Sequence, residues 1–190
     1  MFVREKSIFL CSQGFSHALR SAAIVIALIA LFFSVESIAV ETFAVGRDLT
    51  KLPPPVQRMR QEILKAAATG DVEALRVPIE MNEIPPVFAK ERISDPIGYL
   101  KSISGDGEGR EILAILYNIL TTGYAITSPG TKEEMIVWPY HAVAPMKDLS
   151  PSQQVELYRF LSAAQARPMF AEGRYRYFRI GIAPDGVWHF

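Results

Sequence analysis

The sequence predicts an α+β fold in which helices pack on a small antiparallel sheet formed by two hairpins. Apolar residues recur at helical spacing through the first two thirds of the chain. Residues 112–120 are apolar except for one asparagine, which is typical of a buried helix. Two pairs of segments rich in aromatic and β-branched residues follow, and a turn sequence joins each pair. Together these patterns predict a single domain of mixed class.

Residues 1–39 have the features of a secretory signal peptide. Basic residues precede an unbroken apolar run at residues 22–33, and Ser-Ile-Ala at 37–39 matches a small-x-small cleavage site. An uncleaved membrane anchor is the alternative, although the apolar run is short for a bilayer span. Both interpretations place the rest of the chain outside the cytoplasm. The predicted location is periplasmic or secreted, or anchored in the inner membrane if the segment is not cleaved.

The remainder is predicted to consist of a linker and one domain. Residues 40–52 show no clear period and precede three prolines, so they predict a linker. Residues 53–190 are predicted to form one globular domain, which is long enough to fold without a disulfide. Within it, apolar residues from Val56 to Ala67 recur at steps of three and four. This pattern predicts a helix that ends before Gly70.

The next part of the domain alternates between short helices and a loop. A short helix is predicted at residues 72–77, with Asp71 as its cap and Pro78 at its end. Residues 79–94 contain two adjacent prolines and no sustained period, so they predict an extended surface loop. The Asp-Pro pair at 95–96 predicts the start of another helix.

A glycine-rich turn at residues 104–109 leads into the central helix, which is predicted to end at Gly123. Carboxylates at Asp106 and Glu108 interact favourably with the positive end of the helix dipole. A calcium loop that begins at Ser104 is excluded, because its twelfth position is an isoleucine. A phosphate loop is excluded because Gly-Lys-Ser/Thr is missing. The turn therefore predicts a helix cap rather than a ligand site.

The last third is predicted to form the sheet and one more helix. The first hairpin is predicted at residues 124–127 and 135–140, and the second at residues 174–182 and 187–190. Between them, a capping box at Ser150 predicts a helix that Pro168 ends. The predicted buried stripe of this helix consists of Val155, Tyr158, Leu161 and Ala164.

Charge and cysteine content exclude several classes of partner. The chain has 20 basic and 20 acidic residues, so it carries no footprint for nucleic acid and no polybasic patch for a membrane surface. We therefore expect contact with a membrane only through the N-terminal segment. The single cysteine, Cys11, lies within the predicted signal peptide, so no disulfide is predicted.

The sequence predicts no catalytic residue, no metal ligand and no cofactor. No Gly-x-Ser-x-Gly motif is present. After the predicted signal peptide only His141 and His189 remain, without cysteine, so zinc could bind only with carboxylate help, and no His-Glu-x-x-His pattern is present. An unrecognised hydrolase or isomerase is the alternative, and it would need His141 or His189 to approach an acid such as Asp106 or Glu108.

The strongest candidate for a binding surface is the arginine- and tyrosine-rich segment at residues 174–182. On a strand its tyrosines share one face, and the aromatic residues of the other strands could line the same concavity. An edge strand protected by arginine is the structural alternative. The candidate ligand-binding residues are Trp138, Tyr140, His141, Tyr175, Tyr177, Arg179 and Trp188.

Two resemblances accompany these patterns. The segments Ser-Gly-Asp-Gly-Glu-Gly-Arg-Glu-Ile-Leu, Val-Trp-Pro-Tyr-His-Ala and Arg-Ile-Gly-Ile-Ala-Pro-Asp-Gly-Val-Trp-His-Phe together resemble a family of exported bacterial proteins of unknown function. That resemblance implies one exported domain and brings no activity. The first helix pair resembles the start of nuclear transport factor 2-like domains, which implies a sheet curled around helices. The predicted strand count is low for that fold.

Three functions are compatible with the sequence. The first is a non-catalytic envelope protein that binds a partner protein, a glycan or a small ligand. The second is the small periplasmic enzyme described above. The third is a structural or assembly factor tethered by its N-terminal segment. The lack of catalytic motifs and the balanced charge favour the first.

Overall fold

The structure, a computed structural model, describes residues 43–190 as an α+β domain, which confirms the predicted class. The strands are β1 (Phe43–Gly46), β2 (Tyr124–Thr127), β3 (Met135–Trp138) and β4 (Ile180–Ile182). The helices are α1 (Pro54–Ala68), α2 (Arg76–Glu80), α3 (Pro96–Ile103), α4 (Arg110–Leu120), α5 (Pro151–Leu157) and α6 (Ala163–Glu172). The predicted signal peptide lies outside the described residues. None of the described helices is long and apolar enough to cross a membrane.

The four strands form one antiparallel sheet in the order β1-β2-β3-β4. Strands β2 and β3 form the predicted first hairpin, in which Ile126 pairs with Ile136. β3 ends at Trp138 and not at Tyr140 as predicted, because Pro139 follows and a 3-10 turn begins at Tyr140. The connection from β3 to β4 is long and contains α5 and α6. The sheet therefore combines one local hairpin with strands from distant parts of the chain.

The prediction of a linker at residues 40–52 is wrong for the part that the structure describes. Residues 43–46 are strand β1, and Val45 pairs with Ala125 of β2. Leu52 is buried in the core, and the Tyr124 hydroxyl donates to the carbonyl of Asp48 at 3.0 Å. The strand is short, and its partner lies far along the chain. Its stability therefore comes from pairing that a local pattern does not show.

Helices α1 and α4 form the centre of the core. The predicted face of α1 is buried, and Val56 and Ile63 are fully enclosed. Ile119 and Leu120 of α4 are also fully buried. The Arg60 guanidinium donates twice to the carbonyl of Leu120, at 3.0 and 2.7 Å. A cation there satisfies an orphan carbonyl at the negative end of α4.

The glycine-rich turn caps α4, as the sequence predicts. The Asp106 carboxylate accepts hydrogen bonds from the amides of Gly109 and Arg110, at 3.2 and 3.1 Å. Glu111 accepts from the amide of Gly105 at 2.6 Å. The hydrogen bond from the Ser104 hydroxyl, followed by those from backbone amides, lowers the pKa of Asp106. Asp106 and Glu111 therefore cap the start of α4.

The single helix predicted from Ser150 is in fact two helices. A second capping box, formed by Ser162 and Gln165, begins α6, and Pro168 lies within α6 instead of ending the earlier helix. The proline ring lies on an exposed face, where its missing N–H leaves only a solvated carbonyl unpaired. Similarly, Pro78 lies in the first turn of α2, where no N–H is needed, and does not end that helix.

The predicted buried stripe of the helix after Ser150 is also largely wrong. Val155 is 68% exposed and Tyr158 is 43% exposed. Ala164 is exposed as well, and only Leu161 of the predicted stripe is buried. The buried residues of this segment are instead Leu157, at the end of α5, and Phe160, between α5 and α6.

The second predicted hairpin is only partly formed. Its first strand, β4, is shorter than predicted, and residues 187–190 pair with it through a single bridge between Ile182 and Trp188 instead of forming a strand. The amide of Gly181 donates to the carbonyl of Phe190 at 2.7 Å, and that of His189 donates to Gly181 at 2.8 Å. Residues 174–179 are not a strand. The Tyr175 hydroxyl donates to the carbonyl of Phe178 at 2.6 Å, so this segment folds on itself before β4 begins.

We predict that Gly109→Ala destabilises the domain by about 3 kcal/mol. Gly109 has a φ of +86°, and an added Cβ would lie 2.8 Å from the Cβ of buried Val72. The control is Gly107→Ala, where φ is +68° but no atom lies within 4 Å, so about 1 kcal/mol is expected. Urea unfolding measures both. Equal losses in the two variants would contradict the steric part of the argument.

Candidate functional site

A groove of about 730 Å³ lies beside the sheet and is the candidate site. Its size falls within the range of about 300–1,000 Å³ that small-molecule sites occupy. Helices α3 and α4 and strand β4 line the floor, and residues 87–90 and 176–179 line the sides. The apolar floor consists of Leu100, Ile103, Ile112, Leu116, Ile180 and Trp188.

The charged side chains that line the groove are all basic. They belong to Lys90, Arg176 and Arg179, and exposed His189 lies beside them. No aspartate or glutamate is among the lining residues. Arg176 forms an ion pair with Glu172 at 2.8 Å. Within residues 43–190, neither Lys90 nor Arg179 forms an ion pair.

Arg179 has a different neighbour. Its guanidinium carbon lies 4.9 Å from the centre of the Phe190 ring, in a cation–π contact. That contact holds the guanidinium over the ring, while its N–H groups form no hydrogen bond with the described residues. Arg179 therefore presents a positioned donor to the groove.

The loop predicted at residues 79–94 forms one wall, and Asn82 fastens its beginning. The Asn82 side chain donates to the carbonyl of Trp188 at 2.8 Å and accepts from its amide at 3.2 Å. The amide of Val87 donates to the carbonyl of His189 at 2.8 Å. The rings of Phe88 and Trp188 pack edge to face at 5.3 Å. The wall is thus tied to residues 188–189 by hydrogen bonds and by an aromatic pair.

The groove brings together only part of the predicted set. Tyr177, Arg179 and Trp188 line it. Tyr175 does not line it: its hydroxyl donates to the carbonyl of Phe178, and burial raises its pKa. Burial also raises the pKa of Tyr177, which therefore stays protonated at neutral pH.

Trp138, Tyr140 and His141 do not line the groove, and Tyr140 and His141 lie near the carboxylate of Glu156. Glu156 accepts from both terminal nitrogens of Arg47, at 2.8 and 2.6 Å, and from the Tyr140 hydroxyl at 3.1 Å. Burial raises the pKa of Tyr140 to about 12, and the nearby carboxylate adds to this shift. Trp138 is fully buried 5.7 Å from the ring of Tyr124. These residues join β3 to α5 and to the chain before α1.

His141 is a buried structural residue. Its Nε2 lies 2.9 Å from the carbonyl of Gln153, so Nε2 carries the proton and Nδ1 is left as an acceptor. Nδ1 has no hydrogen-bond partner within the part of the chain described. Its ring stacks on Tyr140 at 4.0 Å, and burial lowers its pKa. The hydrogen bonds of Asp106 are made within its own turn, so they do not pair it with His141 as the enzyme alternative requires.

Several groove residues were not anticipated as site residues. Phe88 and Lys90 come from a loop without a period, and nothing in their local sequence indicates that they face an apolar floor. Leu100 and Ile103 follow a helical pattern that equally fits ordinary core packing. The adjacent prolines at 85–86, which forbid regular structure, were the available hint of a wall-forming loop.

Comparison with protein-family models, with curated proteins and with solved structures finds no match to this chain. Within residues 43–190, no group of three or more His, Cys, Asp or Glu side chains is arranged to hold a metal ion. The groove geometry is therefore the basis for a functional proposal.

We predict that Asn82→Ala costs about 3 kcal/mol of stability, because it leaves the buried amide and carbonyl of Trp188 without partners. Asn118→Ala is the matched control. Its side chain donates to the carbonyl of Ala114 on an exposed helix surface, so a change within about 0.5 kcal/mol is expected. Urea unfolding compares the two. Similar losses would show that Asn82 does not fasten the wall.

We also predict that Glu156→Gln destabilises the domain by about 2 kcal/mol at neutral pH. Burial acts to raise the pKa of Glu156, but hydrogen bonds from Arg47, Gly123 and Tyr140 outweigh it and lower the pKa. A lowered pKa means that the stabilisation is complete above the ordinary glutamate value of about 4.3 and is lost as pH falls through the folded value.

The difference between wild type and Glu156→Gln should therefore shrink as the pH falls below about 4. Glu62→Gln is the control, because Glu62 makes only a 3.9 Å contact with Lys65 one helical turn away. It should change stability by less than about 0.5 kcal/mol at every pH. A pH-independent difference for Glu156→Gln would contradict the assignment.

Proposed function

We propose that this chain is a non-catalytic binding module of the cell envelope, and that its groove holds a small, largely apolar ligand. The observation that carries the proposal is the apolar floor formed by α3, α4 and β4, within a groove of small-molecule size. Several apolar lining residues, among them Val87, Ile103 and Phe178, remain in contact with water. Covering such surface with a ligand stabilises the complex by about 25 cal/mol per Å².

The composition of the walls supports ligand binding further. The edge-to-face pair of Phe88 and Trp188 supplies a rigid aromatic side, and such rings bury a large area at little entropic cost. The polar groups are few and lie at the rim, which is the usual distribution in a small-molecule site. The observed features therefore fit recognition of a ligand better than chemical conversion.

The envelope location rests on the sequence of residues 1–39. Basic residues, an apolar run and a small-x-small site together support export. The single cysteine lies in that same segment, so the domain requires no oxidative step after export.

The proposal is tested with phenylnaphthylamine, an uncharged fluorescent probe of apolar sites. We expect the fluorescence of the probe to rise and then saturate as the protein is added. The protein is the full chain, purified in the form in which it accumulates in an expressing bacterium. Ala89→Phe, which places a ring in the groove, should weaken binding about tenfold, because overpacking of this kind costs on the order of 1–3 kcal/mol.

The matched control is Ala164→Phe, which adds the same ring at an exposed position that does not line the groove. Its affinity should equal that of the wild type. The proposal fails if the probe does not bind, or if both variants bind it as tightly as the wild type does.

A further inference from the structure

We propose that the ligand of this groove is a single-chain anionic amphiphile, an alkyl carboxylate, whose chain lies on the apolar floor and whose head group binds Lys90 and Arg179. This inference rests on the proposed function and names the ligand class for the same groove. Two observations support it. The charged side chains that line the groove are all basic, and two of them, Lys90 and Arg179, form no ion pair within residues 43–190.

The first observation is that the Lys, Arg, Asp and Glu side chains in the lining have one sign. Lys90, Arg176 and Arg179 line the groove, and no aspartate or glutamate side chain does. The chain as a whole carries equal numbers of acidic and basic residues. A one-sign rim around an apolar groove is therefore a local feature, and it favours a ligand of the opposite sign.

Two carboxylates near this region are bound to other groups. Glu172 is paired with Arg176 at 2.8 Å. Glu111 accepts a hydrogen bond from the amide of Gly105 at 2.6 Å. The pKa of Tyr177 is raised mainly by burial, and the charge of Glu111 adds to that shift. Neither carboxylate neutralises Lys90 or Arg179.

The second observation is that Lys90 and Arg179 have no ion-pair partner among residues 43–190, whereas Arg176 has one. Arg179 is also positioned by its contact with the Phe190 ring at 4.9 Å. A guanidinium held in this way presents a planar fork of N–H groups, which matches a carboxylate. Lys90, which also lines the groove, adds a second positive charge.

The rest of the groove fits an alkyl chain. The floor carries aliphatic side chains from α3, α4 and β4, and the ring of Trp188 ends it. This apolar surface offers no fixed hydrogen-bonding pattern that would select a sugar or a peptide backbone. A small-molecule volume suits one chain rather than a membrane surface.

The test compares three ligands with the same chain and different heads: decanoate, decanol and decyltrimethylammonium. Isothermal titration of the full chain should show that decanoate binds about tenfold more tightly than decanol, and that the cation binds most weakly. Raising the salt to about 1 M, where the Debye length is about 3 Å, should remove the preference for decanoate.

Variants assign the head-group contacts. Lys90→Gln and Arg179→Gln should each weaken decanoate binding about threefold and leave decanol binding unchanged, and the double variant should abolish the preference. Arg174→Gln is the control, because it removes the same charge from an exposed position outside the lining. It should behave as the wild type. If Arg179→Gln disturbs the Phe190 contact, Lys90→Gln still tests the charge.

The outcomes separate the two proposals. If none of the three ligands binds, the proposed function fails together with this inference. If decanol binds but decanoate binds no better, or if the cation binds as well as the anion, only this inference is overturned. Binding to phosphatidylglycerol vesicles without binding of monomeric decanoate also overturns it, because that result would indicate a membrane surface as the partner.

Discussion

The burial of helix α4 is the interaction on which the rest of the domain depends. Its C-terminal residues Ile119 and Leu120 are enclosed against α1, and Arg60 of α1 binds its last carbonyl. Its earlier residues Ile112 and Leu116 turn toward the groove. One apolar helix therefore supplies both the centre of the core and the floor of the candidate site. Because core packing leaves little freedom, the floor is as rigid as the core itself.

The glycine-rich turn before α4 shows how a site-like sequence can serve architecture alone. Glycines alternating with acids look like a ligand loop, yet Asp106 and Glu111 bind amides of the turn itself. Gly109 needs its positive φ and its lack of a side chain because Val72 packs against it. The turn fixes where α4 begins, and so it sets the position of the groove floor indirectly.

Local patterns predicted the parts of the fold whose causes are local. The positions of α1, α3 and α4 and of the first hairpin followed, to within a few residues, from periodicity, caps and turn residues, because these act within a few positions. The sequence analysis did not predict strand β1, because that strand depends on pairing with β2. It did not predict the break between α5 and α6, because only the capping box at Ser150 was recognised and not the one at Ser162. The site was predicted only where aromatic and arginine residues stood out, at Tyr177, Arg179 and Trp188. Its loop wall depends on contacts between distant segments, which spacing does not encode.

The two halves of the groove come from segments that are far apart in the sequence. This separation affects the order in which the chain becomes structured. The floor from α3 and α4 is synthesised well before β4 and Trp188, which complete it and hold Asn82 in place. A nascent chain that ends before residue 180 therefore carries an uncovered aliphatic surface, and contacts of such high sequence separation form late. Association with a holding chaperone during synthesis would protect that surface.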